Sequence, residues 1–169
     1  MDVYEAIQSR RSVRAYQGKP IPEDMLRRVL EAARQAPSAR NRQEWRFIVV
    51  QDAGRRKALA KAARNQEFVA QAPVCLAFCA TENDYVMTCG QQAGPIDTSI
   101  ALAYVTLAAA AEGLGTCWLG AFEEGAVKQL LGVPAAARVV AMSPLGYPAE
   151  SPAARPRKPF DEVVRFERW

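Results

Sequence analysis

Apolar positions recur along this chain with two different periods, and the changes from one to the other divide it into helices and strands. Asp2, with Glu5 three residues on, predicts a capping box opening a first helix, with Val3, Ala6 and Ile7 on its inner face. From Pro22 the stripe Met25, Leu26, Val29, Leu30 and Ala33 predicts a second helix that must end before Pro37. Phe47 to Val50 is a short β-branched run that reads as a buried strand, and Val74 to Cys79 as another. Between them, residues 54–64 form a basic amphipathic helix carrying Leu59 and Ala63. Residues 82–95, with Asn83, Asp84, Gly90, Gly94 and Pro95, break both periods and predict an irregular stretch, a candidate lid or subunit-contact loop. Asp97 to Glu112 is apolar almost all round, which predicts a central helix, stopped by Gly113 and Gly115. Thr116 to Leu119 suggests a short strand, Glu123 to Leu131 a helix closed by Gly132, and Val139 to Leu145 a last strand. The tail beyond Pro148 is rich in Pro and Arg and ends in Val163, Val164, Phe166 and Trp169. Such an apolar end has nothing local to pack on, so it is expected to reach across to a partner subunit.

These elements interleave without regular βαβ spacing, which favours an α+β fold with a mixed or antiparallel sheet. No repeat or linker divides the chain, so residues 1–169 are expected to form one domain. The uncharged run between Asp97 and Glu112 is 14 residues long, short of the roughly 20 needed to cross a bilayer. It is read as a buried helix, with no membrane partner. The acidic start Met1-Asp2-Val3-Tyr4-Glu5 lacks an apolar signal core, which makes the cytoplasm the expected location.

Composition narrows the chemistry. Half the residues are hydrophobic and 24% are charged, as in a globular enzyme or binding domain rather than a disordered or fibrous chain. The net charge of +4 admits an anionic ligand. The arginines, however, are scattered and no basic–aromatic interleaving is present, so no nucleic-acid partner is expected. Cys75, Cys79, Cys89 and Cys117 include no Cys-x-x-Cys pair and fit neither a zinc ribbon nor a redox dithiol. They read as structural thiols, and no metal is expected. The chain contains no histidine, which removes Ser-His-Asp and Cys-His catalysis and His bases. A bound cofactor becomes the economical source of reactivity.

Four segments could hold one. Arg10-Arg11-Ser12-Val13-Arg14 can gather guanidinium groups and a hydroxyl on a phosphate, or can be a solvated basic helix end. Ala36 to Trp45, a polar loop with Ser38, Asn41 and Gln43, could meet the edge of a heteroaromatic ring, or could be a plain turn. Gly113 to Gly120 has the wrong spacing and context for a dinucleotide fingerprint, although Gly120 could admit a flat ligand closely. Arg155-Pro156-Arg157-Lys158-Pro159 adds a second cationic cluster, or a solvated stretch.

In order along essentially the whole chain, these segments resemble the nitroreductase family: R-R-S-V-R, A-P-S-x-x-N-x-Q-x-W-x-F-I-V, G-L-G-T-C-W-L-G-A-F and R-P-R-K-P. The resemblance implies an α+β sheet flanked by helices, in an intertwined homodimer with exchanged C-terminal tails and FMN at the interface. It implies that Arg10, Arg11 and Ser12 hold the FMN phosphate and ribityl chain, joined by Arg155 and Arg157. Arg14 would lie near the pyrimidine edge, where positive charge favours anionic reduced flavin. Pro37, Ser38 and Asn41 would reach the flavin from the second subunit, and Asn65 would bond the ring edge. Trp118, Leu119, Gly120 and Ala121 would form the wall behind the isoalloxazine, with the Gly120 amide facing N5. Two positions depart from the pattern: Glu44 stands where many relatives have proline, and Phe68 where some have lysine.

The implied activity is ping-pong transfer of hydride from NAD(P)H to a nitroaromatic, quinone or similar flat acceptor, with flavin N5 and no side chain as the catalytic centre. Alternatives are a non-catalytic flavin-binding or sensor protein, or a dehalogenase or flavin-fragmenting relative on the same fold.

Overall fold

The computed structural model describes residues 1–82 and 84–169; Asn83, named above in the irregular stretch, lies outside them. In chain order the elements are α1 (Val3–Ser9), α2 (Glu23–Arg34), β1 (Trp45–Val50), α3 (Ala53–Ala62), α4 (Phe68–Gln71), β2 (Val74–Ala80), α5 (Ala93–Ala111), β3 (Gly115–Thr116), α6 (Glu124–Leu131), β4 (Arg138–Gly146) and α7 (Phe160–Val163). A 3₁₀ turn spans Ala39–Asn41. The strands form one antiparallel sheet in the order β1-β2-β4-β3. The expected α+β architecture, an antiparallel sheet flanked by helices, is therefore what the chain adopts.

Strand β2 explains the layering. All seven of its residues are buried, because successive side chains enter opposite faces and both faces are covered. Leu76 and Phe78 point into a core with Leu26, Val29, Leu102 and Val105 of α2 and α5. Cys75, Ala77 and Cys79 point into a second core with Leu59, Val69 and Val127 of α3, α4 and α6. The expectation that Cys75 and Cys79 pack as small hydrophobes holds, since both are free and buried.

The capping box forms as predicted: the Glu5 amide donates to Asp2 Oδ1 at 2.9 Å and the Asp2 amide to Glu5 Oε2 at 2.8 Å. Gly132 closes α6 in the left-handed region at φ 67°. Other expectations need correction. Val3 and Ile7 are exposed and only Ala6 of α1 is buried, because α1 rests on α5 through a narrow side and, among the described residues, the rest is left uncovered. Helix α5 begins at Ala93, since Pro95 is tolerated in a first turn where its missing amide has no partner to lose. It is long and apolar enough to suit a membrane span, yet its buried side packs on α2 and the sheet. It is not covered all round, as Ile96 and Tyr104 are exposed. The predicted strand at Thr116–Leu119 shrinks to Gly115–Thr116, followed by an isolated bridge from Leu119 to Met142.

Candidate functional site

The arginine segment begins where α1 ends. Arg10 caps the helix with extended backbone (φ −54°, ψ 130°), and Arg11 Nη1 donates to the carbonyls of Gln8 at 2.6 Å and Arg10 at 2.9 Å. Arg11 thus satisfies helix-end carbonyls as well as facing the cavity described below.

Beyond it the backbone is pinned from several sides. Ser12 bridges Thr116 of β3 in parallel, and the Val13 amide donates to the Thr116 carbonyl at 2.9 Å. The buried Tyr16 hydroxyl donates to the Val13 carbonyl at 2.8 Å; burial holds this phenol far above its ordinary pKa, so it is an O–H donor at any working pH. The Arg14 amide donates to the carboxylate of Glu150. Residues 15–17 then pair with 147–149 as an antiparallel ribbon: Gln17 N to Tyr147 O at 2.9 Å, Gln17 Nε2 to Pro148 O at 2.8 Å, and Ala149 N to Ala15 O at 2.9 Å.

This ribbon aims the chain that leaves it back over the first arginines. Arg10, Arg11, Ser12 and Arg14 line a cavity of about 370 Å³ together with Arg155 and Arg157, with Ile7, Gln8 and Pro152 to Ala154 completing the wall. No acidic residue lines it, and among the described residues no carboxylate is ion-paired with any of these five arginines. Below lies Cys117, whose thiol is pushed up by burial and drawn down by Arg14, Arg10 and Arg155, with Glu150 opposing them. Two cationic clusters some 140 positions apart in sequence are one site, suited by charge and by guanidinium geometry to a phosphate.

A second group adjoins this site through β3. Trp118 and Gly120 are exposed while Leu119 is anchored by reciprocal bonds with Met142 at 2.9 and 3.0 Å. A Cβ on Gly120 would meet nothing within 4 Å, so open space lies before it. The Ala121 carbonyl accepts from Gln66 Nε2 at 3.2 Å, and the Glu123 amide donates to Ala62 O at 2.9 Å. These bonds fasten the 118–121 wall to the end of α3, where exposed Asn65 sits in the left-handed region at φ 59°, a conformation asparagine tolerates better than most residues.

The third group lies elsewhere. In the Pro37–Gln43 loop, Arg40, Asn41 and Gln43 have φ of 53°, 54° and 55°. The Gln43 amide donates to Ser38 Oγ at 3.1 Å, Gln43 Nε2 donates to Asn41 Oδ1 at 3.1 Å, and the Ala39 amide donates to the buried Asp97 carboxylate at 3.0 Å. Glu44 has a use of its own: its carboxylate accepts from Thr81 Oγ1 at 2.8 Å and its carbonyl from the Thr81 amide at 3.0 Å, tying the loop to the end of β2. Asp97 stands near the start of α5, whereas Ala110 near its end lines a cleft with Arg10 and Arg11. At 1.5 Å rise per residue the two ends are about 20 Å apart, so this loop does not meet the arginine cavity of its own chain.

A model of the nitroreductase family matches residues 7–66 and 59–147. The chain belongs to the nitroreductase family. A "NADH dehydrogenase" of Thermus thermophilus is 35% identical, over 97% of this chain and 95% of that protein. An "FMN reductase [NAD(P)H]" of Bacillus subtilis is 34% identical, over 99% of this chain and 74% of its own. Among solved structures, a nitroreductase family protein of Clostridium novyi superposes with a TM-score of 0.85 at 34% identity, covering 92% of this chain and 89% of the other. Within this nitroreductase-family chain, sequence reasoning missed Tyr16, Gln66, Thr116 and Glu150. Gln66, Thr116 and Glu150 act on backbone groups distant along the chain, and Tyr16 on Val13 three residues before it, a bond that depends on the burial of the ring and that no local pattern reveals.

Proposed function

We propose that this chain is an FMN-dependent NAD(P)H oxidoreductase acting on nitroaromatics, quinones and similar flat electron-poor acceptors. The observation that carries the reading is the shared cavity of Arg10, Arg11, Ser12, Arg14, Arg155 and Arg157. It fits the phosphate of FMN because it concentrates positive charge and directional donors in one concavity with no acid in its lining. The name of the Bacillus subtilis relative agrees with this assignment.

When bound, FMN supplies two-electron exchange between a reduced nicotinamide and an oxidised acceptor. The chain's part is to bind, orient and shield. Arg10, Ser12, Arg155 and Arg157 hold the phosphate, with Arg11 beside them, and Arg14 puts charge near the pyrimidine edge. Trp118, Leu119, Gly120 and Ala121 would back the ring, Gly120 with open space before it, and Asn65 would meet the ring edge. No side chain need shuttle a proton, in keeping with a sequence lacking histidine. Nicotinamide and acceptor take turns in one open space, which is ping-pong kinetics.

The site is completed by a second copy. Pro37, Ser38 and Asn41 sit too far from their own arginine cavity to serve it and are shaped to serve a partner's. Val3, Tyr4 and Ile7 of α1 and Ile96 and Tyr104 of α5 are exposed apolar side chains, and Phe160, Val163, Phe166 and Trp169 of the tail are uncovered as well. A groove of about 720 Å³ between α2 and the free edge of β1 is available to a partner's tail.

The purified protein should be yellow, release FMN on denaturation, be bleached anaerobically by NADH or NADPH, and give parallel double-reciprocal plots against menadione or a nitrobenzoate. A colourless protein that FMN cannot reconstitute would sink the reading, and flavin that neither nicotinamide bleaches would favour a sensor.

A further inference from the structure

Among the described residues, the backbone rungs of the ribbon that delivers Arg155 and Arg157 to the cavity run as far as Ala149, whose amide bonds Ala15 at 2.9 Å. The next link outward is made by a side chain. Glu150 lies one residue past that rung, and its carboxylate accepts from the amide of Arg14, a residue of the cavity itself. Two residues later Pro152 begins the cavity wall. The bond therefore sits where the two halves of the site meet, fixing the backbone of one half to the root of the other. The bond engages the Arg14 amide, while the Arg14 side chain stays exposed and lines the cavity. By charge alone a carboxylate here is wrong, since it lies beside a site that favours an anion and repels what that site would bind. Any favourable contribution must come through the bond it accepts.

We infer that Glu150 is a positioning residue that joins the two halves of the cationic cavity and thereby sets its affinity for a phosphorylated flavin without touching it. The inference rests on the reading of the cavity as the FMN phosphate site. Removing the acceptor lets residues 151–157 drift from Arg10 to Arg14, so several charge-assisted bonds to phosphate weaken together. Keeping an oxygen acceptor while removing the charge preserves the link and ends the repulsion.

The test titrates full-length apoprotein with FMN and with riboflavin, which lacks the phosphate, following flavin fluorescence, for wild type, Glu150→Ala and Glu150→Gln. Glu150→Ala should weaken FMN binding about tenfold, the scale of one charge-assisted hydrogen bond, and leave riboflavin binding within about twofold. Glu150→Gln should recover most of the loss. Glu150→Ala binding FMN like wild type overturns the inference, as does an equal loss for both flavins, which marks general loosening, or a Gln variant as weak as Ala. A wild-type protein that binds riboflavin as tightly as FMN overturns the phosphate reading itself, and the role of Glu150 with it.

Discussion

A Cβ placed on Gly115 would lie 2.7 Å from Cγ2 of Val13. No side chain fits there, so β3 and the arginine segment approach more closely than any other residue would allow, and the Val13 amide reaches the Thr116 carbonyl. Gly113, in the left-handed region at φ 74°, follows the end of α5, and Gly115 sets the seat of the arginine segment on β3.

Gly115→Ala should accordingly displace residues 12–14. Overpacking a closed contact costs about 1–3 kcal/mol, which urea denaturation of the apoprotein measures. FMN affinity should fall with it. An unchanged midpoint would show that Val13 gives way freely.

Arg10 and Arg157 come from opposite ends of the chain and line one cavity. Each should contribute about 1.5–3 kcal/mol through a charge-assisted bond to phosphate, read as weaker FMN binding in Arg10→Ala and Arg157→Ala. The double variant should depart from additivity because both act on one anion. Riboflavin binding should be indifferent to either change, and the triple variant with Arg14→Ala should lose FMN on dialysis.

Thiol chemistry tests the interior. Cys89 is exposed, and Cys75, Cys79 and Cys117 are buried, so native protein should show one fast-reacting thiol and denatured protein four. Burial pushes Cys75 up to about 12 and Cys79 up to about 11, from an ordinary 9.0. A pKa raised by folding contributes stability that is full below the unfolded value and is lost as pH rises toward the folded one. Stability should hold up to about pH 9 and then fall by about 1.4 kcal/mol per pH unit for each thiol. Cys75→Ala should lower neutral stability but make the alkaline fall shallower; an equally steep fall would assign it to other groups.

The tail bears on assembly. Sedimentation should return about twice the 18.5 kDa chain mass, and a chain ending at Pro159 should dissociate and lose FMN, since Pro37, Ser38 and Asn41 then no longer reach a partner's flavin. A monomer that keeps FMN would contradict the two-chain site.

Much of the fold was legible because it is set by neighbours in sequence. Asp2 and Glu5 cap α1 within one turn, Gly132 supplies the left-handed residue that ends α6, and the alternation along β2 follows from strand geometry. Burial was less legible. Val3 and Ile7 have an inner-face pattern, but whether a face is inner depends on what arrives to cover it, and both stay more than half exposed among the described residues.

The same division holds for the site. The residue types were written in the chain: guanidinium groups and a hydroxyl in Arg10 to Arg14, more in Arg155 and Arg157, and an unencumbered Gly120, because charge, donor count and the absence of a Cβ belong to each residue alone. That the two arginine clusters are one cavity, that Tyr16 and Glu150 hold it in register, and that the Ser38 loop lies about 20 Å along α5 from it were decided only by the tertiary structure. Those relations run between segments more than a hundred positions apart, or across the length of a helix, and they exist only once the sheet and α5 have packed.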